Sequence, residues 1–108
     1  MAKILLLDLE YSVADELGRI LRQLGQSVRV ARKQDCLLES ADTDLIFTDS
    51  GDLREALAIR PRRPVIVASR LPEVKAWLNA LQDGAADYCG APFEPKQVRW
   101  LLDSALTA

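Results

Sequence analysis

Asp44-Leu45-Ile46-Phe47-Thr48-Asp49 is a short apolar run with a carboxylate at each end, and Ile4-Leu5-Leu6-Leu7-Asp8 closes on a carboxylate in the same way. An apolar run this short, bounded by polar residues, fits a strand buried on both faces, although periodicity alone leaves a piece of helix open. If both runs are parallel strands of one sheet, Asp8 and Asp49 leave it at the same carboxyl-terminal edge. That edge is where open α/β sheets hold their ligands. The functional question becomes what two converging acids do there, and what assists them.

Strand and helix alternate outward from these runs. Ser12 is placed to cap a helix whose first turn holds Asp15 and Glu16, charges favoured at the positive end of a helix dipole. Val13, Leu17, Ile20, Leu21 and Leu24 form its apolar stripe, and Gly25 ends it. A second strand is expected over Val28–Ala31, followed by a short helix capped by Asp35 with Leu37 and Leu38 buried. Strand three covers Asp44–Thr48. Ser50-Gly51-Asp52 turns the chain, and Asp52 caps a short helix, Leu53–Ile59, which Pro61 stops.

Pro64 leads into strand four, Val65–Ala68, which ends at Ser69. Pro72 suits a helix first turn, and Val74, Trp77, Leu78 and Leu81 at i, i+3, i+4, i+7 read as a core-facing stripe that Gly84 terminates. Strand five, about Ala86–Cys89, is the weakest. Pro92 breaks the chain, Pro95 opens the last helix, and Val98, Leu101, Leu102 and Ala105 face inward. Five strands alternating with five helices imply an α/β fold: a doubly wound, five-stranded parallel sheet with helices on both faces.

Bulk properties narrow the function classes. A chain of 108 residues reads as one domain spanning 1–108. With 49% apolar and 28% charged residues and a net charge of −2, it has the make-up of an ordinary globule and lacks the basic excess of nucleic-acid binders. Arg60, Arg62 and Arg63 form a local basic spot that reads as a solvated loop. No run approaches a membrane span. Cys36 and Cys89, without C-x-x-C spacing, read as reduced, buried hydrophobes in a cytoplasmic protein. The absence of histidine removes Ser-His-Asp and Cys-His catalysis, His-containing zinc sites and any phosphohistidine donor role. No P-loop or G-x-G-x-x-G string is present.

Three segments, in order, resemble the receiver domain of two-component response regulators, and the resemblance runs over essentially the whole chain. Asp44–Asp49 is similar to the family's third strand, which ends in the aspartate that accepts a phosphoryl group, so Asp49 is the candidate phosphoacceptor. Pro64-Val65-Ile66-Val67-Ala68-Ser69 resembles the fourth strand, whose terminal hydroxyl contacts that group, here Ser69. Gly84-Ala85-Ala86-Asp87-Tyr88-Cys89-Gly90-Ala91-Pro92-Phe93 resembles the fifth-strand signature, with Tyr88 at the switch aromatic. The resemblance implies the flavodoxin-like receiver fold with sheet order 2-1-3-4-5 and a cis Ala91–Pro92 bond.

The same resemblance marks this chain as an atypical member. Where the family has two adjacent acids after strand one, this chain has Asp8-Leu9, with Glu10 next along. Ala91 stands where a lysine normally pairs with the phosphoryl group. The gap from Asp49 to Pro64 is shorter than the family's, and the loop lining the site goes with it. What remains is a weak Mg²⁺ site of Asp8, Asp49 and the Gly51 carbonyl. Arg70, beside Ser69, is either a built-in site cation reaching Asp49 or Asp8, or a solvated arginine.

Tyr88 is either a switch or a fixed edge-strand residue, and without the lysine the fixed reading is preferred. Trp77 is expected in the core. Trp100 lies opposite the last helix's apolar stripe and is the interface candidate, the other reading being that it packs over a basic stem. The expected function is a receiver-like domain of a two-component phosphorelay with an incomplete phosphorylation site. It is not an enzyme in its own right and works as a protein-interaction or dimerisation module. The implied partners are a histidine kinase or effector domain and a second copy, through the fourth helix, fifth strand and fifth helix, with no role for nucleic acid or membrane. The alternatives are a working but slow phosphoacceptor using Asp49 with Mg²⁺, and a small flavodoxin-like ligand-binding module.

Overall fold

The computed structural model describes residues 2–32, 42–59, 63–70 and 74–106. Five parallel strands, β1 (Lys3–Leu7), β2 (Ser27–Ala31), β3 (Leu45–Thr48), β4 (Val65–Ser69) and β5 (Asp87–Gly90), form one sheet in the order β2-β1-β3-β4-β5. The helices are α1 (Tyr11–Gln23), α2 (Leu53–Ile59), α3 (Val74–Gln82) and α4 (Pro95–Leu106), with a 3₁₀ turn at Ser50–Asp52. The expected helix after Asp35, with Leu37, Leu38 and Cys36, lies outside the described residues, as do Arg60, Pro61, Arg62 and Pro72.

Strand alternation sends side chains to two opposite cores. On one face Ile4, Leu6, Leu45, Phe47, Ile66, Ala68 and Cys89 meet Val13, Leu17 and Leu21 of α1 and Val98, Leu101 and Leu102 of α4. On the other, Leu5, Leu7, Ile46, Val65 and Val67 meet Leu53 and Ala56 of α2 and Ala80 of α3. The three central strands are apolar on both faces because helices cover both, as all-parallel sheets require.

Several local expectations hold. Gly25 closes α1 in the left-handed region at φ 83°, its N–H donating to the Arg22 carbonyl, and Gly84 closes α3 at φ 111°. The Ala91–Pro92 peptide is cis. Cys89 is free and buried in β5, and burial, with Asp87 nearby, pushes its thiol up to about 12. Among the described residues no helix is long and apolar enough to cross a membrane.

Two expectations are corrected. Helix α1 begins one residue before Ser12, with Glu10 at its N-cap, so Ser12 is not the cap; Asp15 lies beyond the first turn and pairs instead with Arg19 at 3.0 Å. The 3₁₀ turn after β3 is itself capped by Asp49, whose side chain accepts the Asp52 N–H. The larger correction is α3. Val74 (69% exposed), Trp77 (42%), Leu78 (50%) and Leu81 (36%) face solvent, so Trp77 is not a core residue. The residue of α3 that joins the core against the sheet is the small, buried Ala80, which lets the helix backbone lie close to the strands.

Candidate functional site

Leu7 of β1 is in register with Thr48 of β3, so Asp8 and Asp49 are the first residues past adjacent strands at one sheet edge. Just beneath them the buried Thr48 hydroxyl donates to the Leu7 carbonyl at 3.1 Å, tying the two strand ends together. Asp8 turns the chain sharply at φ 52°, a left-handed conformation that aspartate tolerates better than most residues. Its N–H donates to the Ala31 carbonyl at 2.8 Å, and its side chain is exposed.

Asp49 is half-buried, and its Oδ1 accepts the Asp52 N–H at 2.9 Å. A Cβ on Gly51 would lie 3.4 Å from that same Oδ1, so glycine keeps the approach to the carboxylate open. Ser69 ends β4 in register with Gly90, and its carbonyl accepts the Ala91 N–H at 2.9 Å. Ala91, half-buried, brings no charge to this edge. Tyr88 is half-buried against the second core cluster.

The residues after Asp8 diverge. Leu9 packs its side chain against the first core cluster. Glu10 turns outward, and its Oε1 accepts from Arg70 Nη1 at 2.9 Å and from the Ser12 hydroxyl at 3.0 Å. Arg70 Nη1 also donates to Ser12 Oγ at 3.1 Å. The Arg70 guanidinium, with help from the Ser12 hydroxyl, holds the Glu10 carboxyl below the usual carboxylate range. Arg70 is therefore ion-paired although exposed, and its carboxylate partner is Glu10 rather than Asp49 or Asp8. No spacing in the chain announces this pair, whose members stand 60 residues apart. Only the sheet order, with β1 and β4 flanking β3, brings their loops within reach of each other.

Among the described residues no three His, Cys, Asp or Glu side chains are grouped so as to hold a metal ion. Of the expected Mg²⁺ ligands, Asp8 and Asp49 stand at adjacent strand ends, one oxygen of Asp49 being already engaged. Mg²⁺ takes one or two carboxylates and keeps several waters, so this set fits it only minimally.

No protein-family model matches the chain. The transcriptional regulatory protein CreB of Escherichia coli (strain K12) is 32% identical over 100 residues, covering 82% of this chain and 44% of CreB. The chain thus spans less than half the length of that curated relative. Among solved structures, a putative response regulator from Chloroflexus aurantiacus J-10-fl superposes with a TM-score of 0.85 at 21% identity, over 99% of this chain and 98% of that one. The receiver domain of NtrX from Brucella abortus gives 0.84 at 23% identity, over 97% and 98%. The fold is therefore that of receiver domains. With the CreB match and the edge geometry, the chain belongs to the response regulator receiver domains of two-component systems.

Proposed function

We propose that this receiver domain has an incomplete phosphorylation site and acts as a protein-interaction or dimerisation module. The observation that carries this reading is Leu9. The side chain that follows Asp8 is a partly buried leucine packed against the core instead of a second acid beside Asp49. Glu10, the nearest substitute, has its carboxylate tied to Arg70 and Ser12. Ala91 supplies no cation.

A phosphoryl group on Asp49 would bring a charge of about −1.5 to −2. Phosphoryl transfer is catalysed mainly by positioning and by cations that offset developing charge. Removing an acid ligand for Mg²⁺ and a lysine together costs several kcal/mol of transition-state stabilisation, roughly two to four decades in rate. In this reading Asp8, Asp49 and the Gly51 carbonyl hold Mg²⁺ weakly, and Ser69 keeps its place without its contact. Tyr88, half-buried against the core, is fixed rather than switching.

The interaction surface is the side of the molecule made by α3, β5 and α4. It exposes Val74, Trp77, Leu78 and Leu81 of α3 and Trp100 of α4, the last 61% exposed. Aromatic side chains of this kind are enriched where proteins bind one another. A kinase, an effector domain or a second copy is the partner this surface suits.

Incubation with Mg²⁺ and acetyl phosphate, followed by intact-mass measurement, tests the reading. It expects at most a slowly accumulating phosphoryl adduct. Rapid stoichiometric labelling that disappears in Asp49→Asn would overturn it.

A further inference from the structure

Arg70 and Glu10 join two loops that are not neighbours in the sheet. β3 lies between β1 and β4. At a strand spacing of about 4.8 Å, the ends of β1 and β4 are roughly 10 Å apart. A side-chain bridge from Arg70, just past β4, to Glu10, just past β1, therefore crosses above the end of β3, where Asp49 emerges. Both partners are more than half exposed, at 57% for Arg70 and 62% for Glu10. Exposed ion pairs exchange partners readily and are screened by salt. A guanidinium that spans beyond β3 to reach Glu10 has the length to reach the nearer Asp49.

We propose that Arg70 is the cation of the Asp49 site and that Glu10 holds it in reserve, so that the Glu10–Arg70 bridge is an autoinhibitory contact across the site. The proposal rests on reading Asp49 as the phosphoacceptor and adds the cation that Ala91 does not supply. With an acyl phosphate as donor, an Asp49 carboxylate oxygen forms the new bond to phosphorus. The donor's P–O(acyl) bond breaks, its electron pair leaves on the departing carboxylate, and no proton moves. Charge spreads over the phosphoryl oxygens, which a planar guanidinium matches with paired N–H donors. A phosphoryl group of about −1.5 to −2 outcompetes the single charge of Glu10 for that guanidinium. Glu10 is thus a positioning residue, acting only through Arg70, and Ser12 steadies the closed arrangement.

The test compares the wild type, Glu10→Gln, Arg70→Ala and the double variant with acetyl phosphate in one Mg²⁺-containing buffer, reading initial labelling rates by intact mass. Glu10→Gln labels about tenfold faster than the wild type. Arg70→Ala shows no gain, and the double variant loses the gain. A second readout needs no phosphorylation: the Arg70 Nε–H resonance shifts on Asp49→Asn in the Glu10→Gln background but not in the wild-type background. Equal rates for wild type and Glu10→Gln, zero included, overturn the proposal, as does a gain that survives in the double variant or an Nε–H signal insensitive to Asp49→Asn. The incomplete-site reading is judged by the wild-type rate alone, so either conclusion can fail without the other.

Discussion

In α4, Val98, Leu101 and Leu102 lie against β-strand side chains and α1, and Trp100 on the opposite side meets solvent. In α3, an equally regular stripe of Val74, Trp77, Leu78 and Leu81 meets solvent, and the small Ala80 takes the place against the sheet. The two helices show the same period with opposite outcomes. Apolar spacing establishes that a helix has two unlike sides; which side the protein uses for its own core depends on how near the helix must lie to the strands. Small residues allow α3 a close approach, and its large residues are then displaced to the outside.

Substitutions in the two helices can break this contrast. The largest effect is expected from Leu101→Ala, which empties a buried site in α4 and costs about 2–5 kcal/mol. In thermal unfolding that is a drop of roughly 4–8 °C for each kcal/mol. Next comes Ala80→Leu, which forces bulk between α3 and the sheet and costs about 1–3 kcal/mol in urea denaturation. A neutral or stabilising result would mean that α3 does not depend on a close approach. The smallest effect on stability belongs to Leu78→Ala, within about 1 kcal/mol because the side chain is already half in water. If the exposed stripe is an interface, the same variant weakens concentration-dependent association in sedimentation experiments. A loss of stability in Leu78→Ala equal to that in Leu101→Ala would erase the distinction between the helices.

The backbone of this fold was largely legible in the chain. Runs such as Ile4–Leu7 and Leu45–Thr48 are apolar on both faces, and only central parallel strands need that; the acids that end them mark one edge. Gly25 and Gly84 announce helix ends because each takes a positive φ. The start of α1 was misread because Ser12 has the chemistry of a cap, whereas the β1–α1 loop places Glu10 there to meet Arg70. The partner of Arg70 was hidden for a related reason. Long-range ion pairs leave no periodic trace, and a strand order had to exist before the two loops became neighbours. The outward face of α3 was missed because alanine, the residue that packs there, carries almost no hydropathy signal of its own.

Cys89 offers a practical consequence. Its thiol is fully protonated at neutral pH, pushed up to about 12 by its burial, and only the thiolate reacts with alkylating reagents. β5 is the outermost strand on its side of the sheet. Alkylation of Cys89, followed on its own peptide by mass spectrometry, therefore acts as a clock for excursions of that strand into water. The chain carries this reporter in its edge strand, so a partner that clamps the edge would slow the clock without any engineered label.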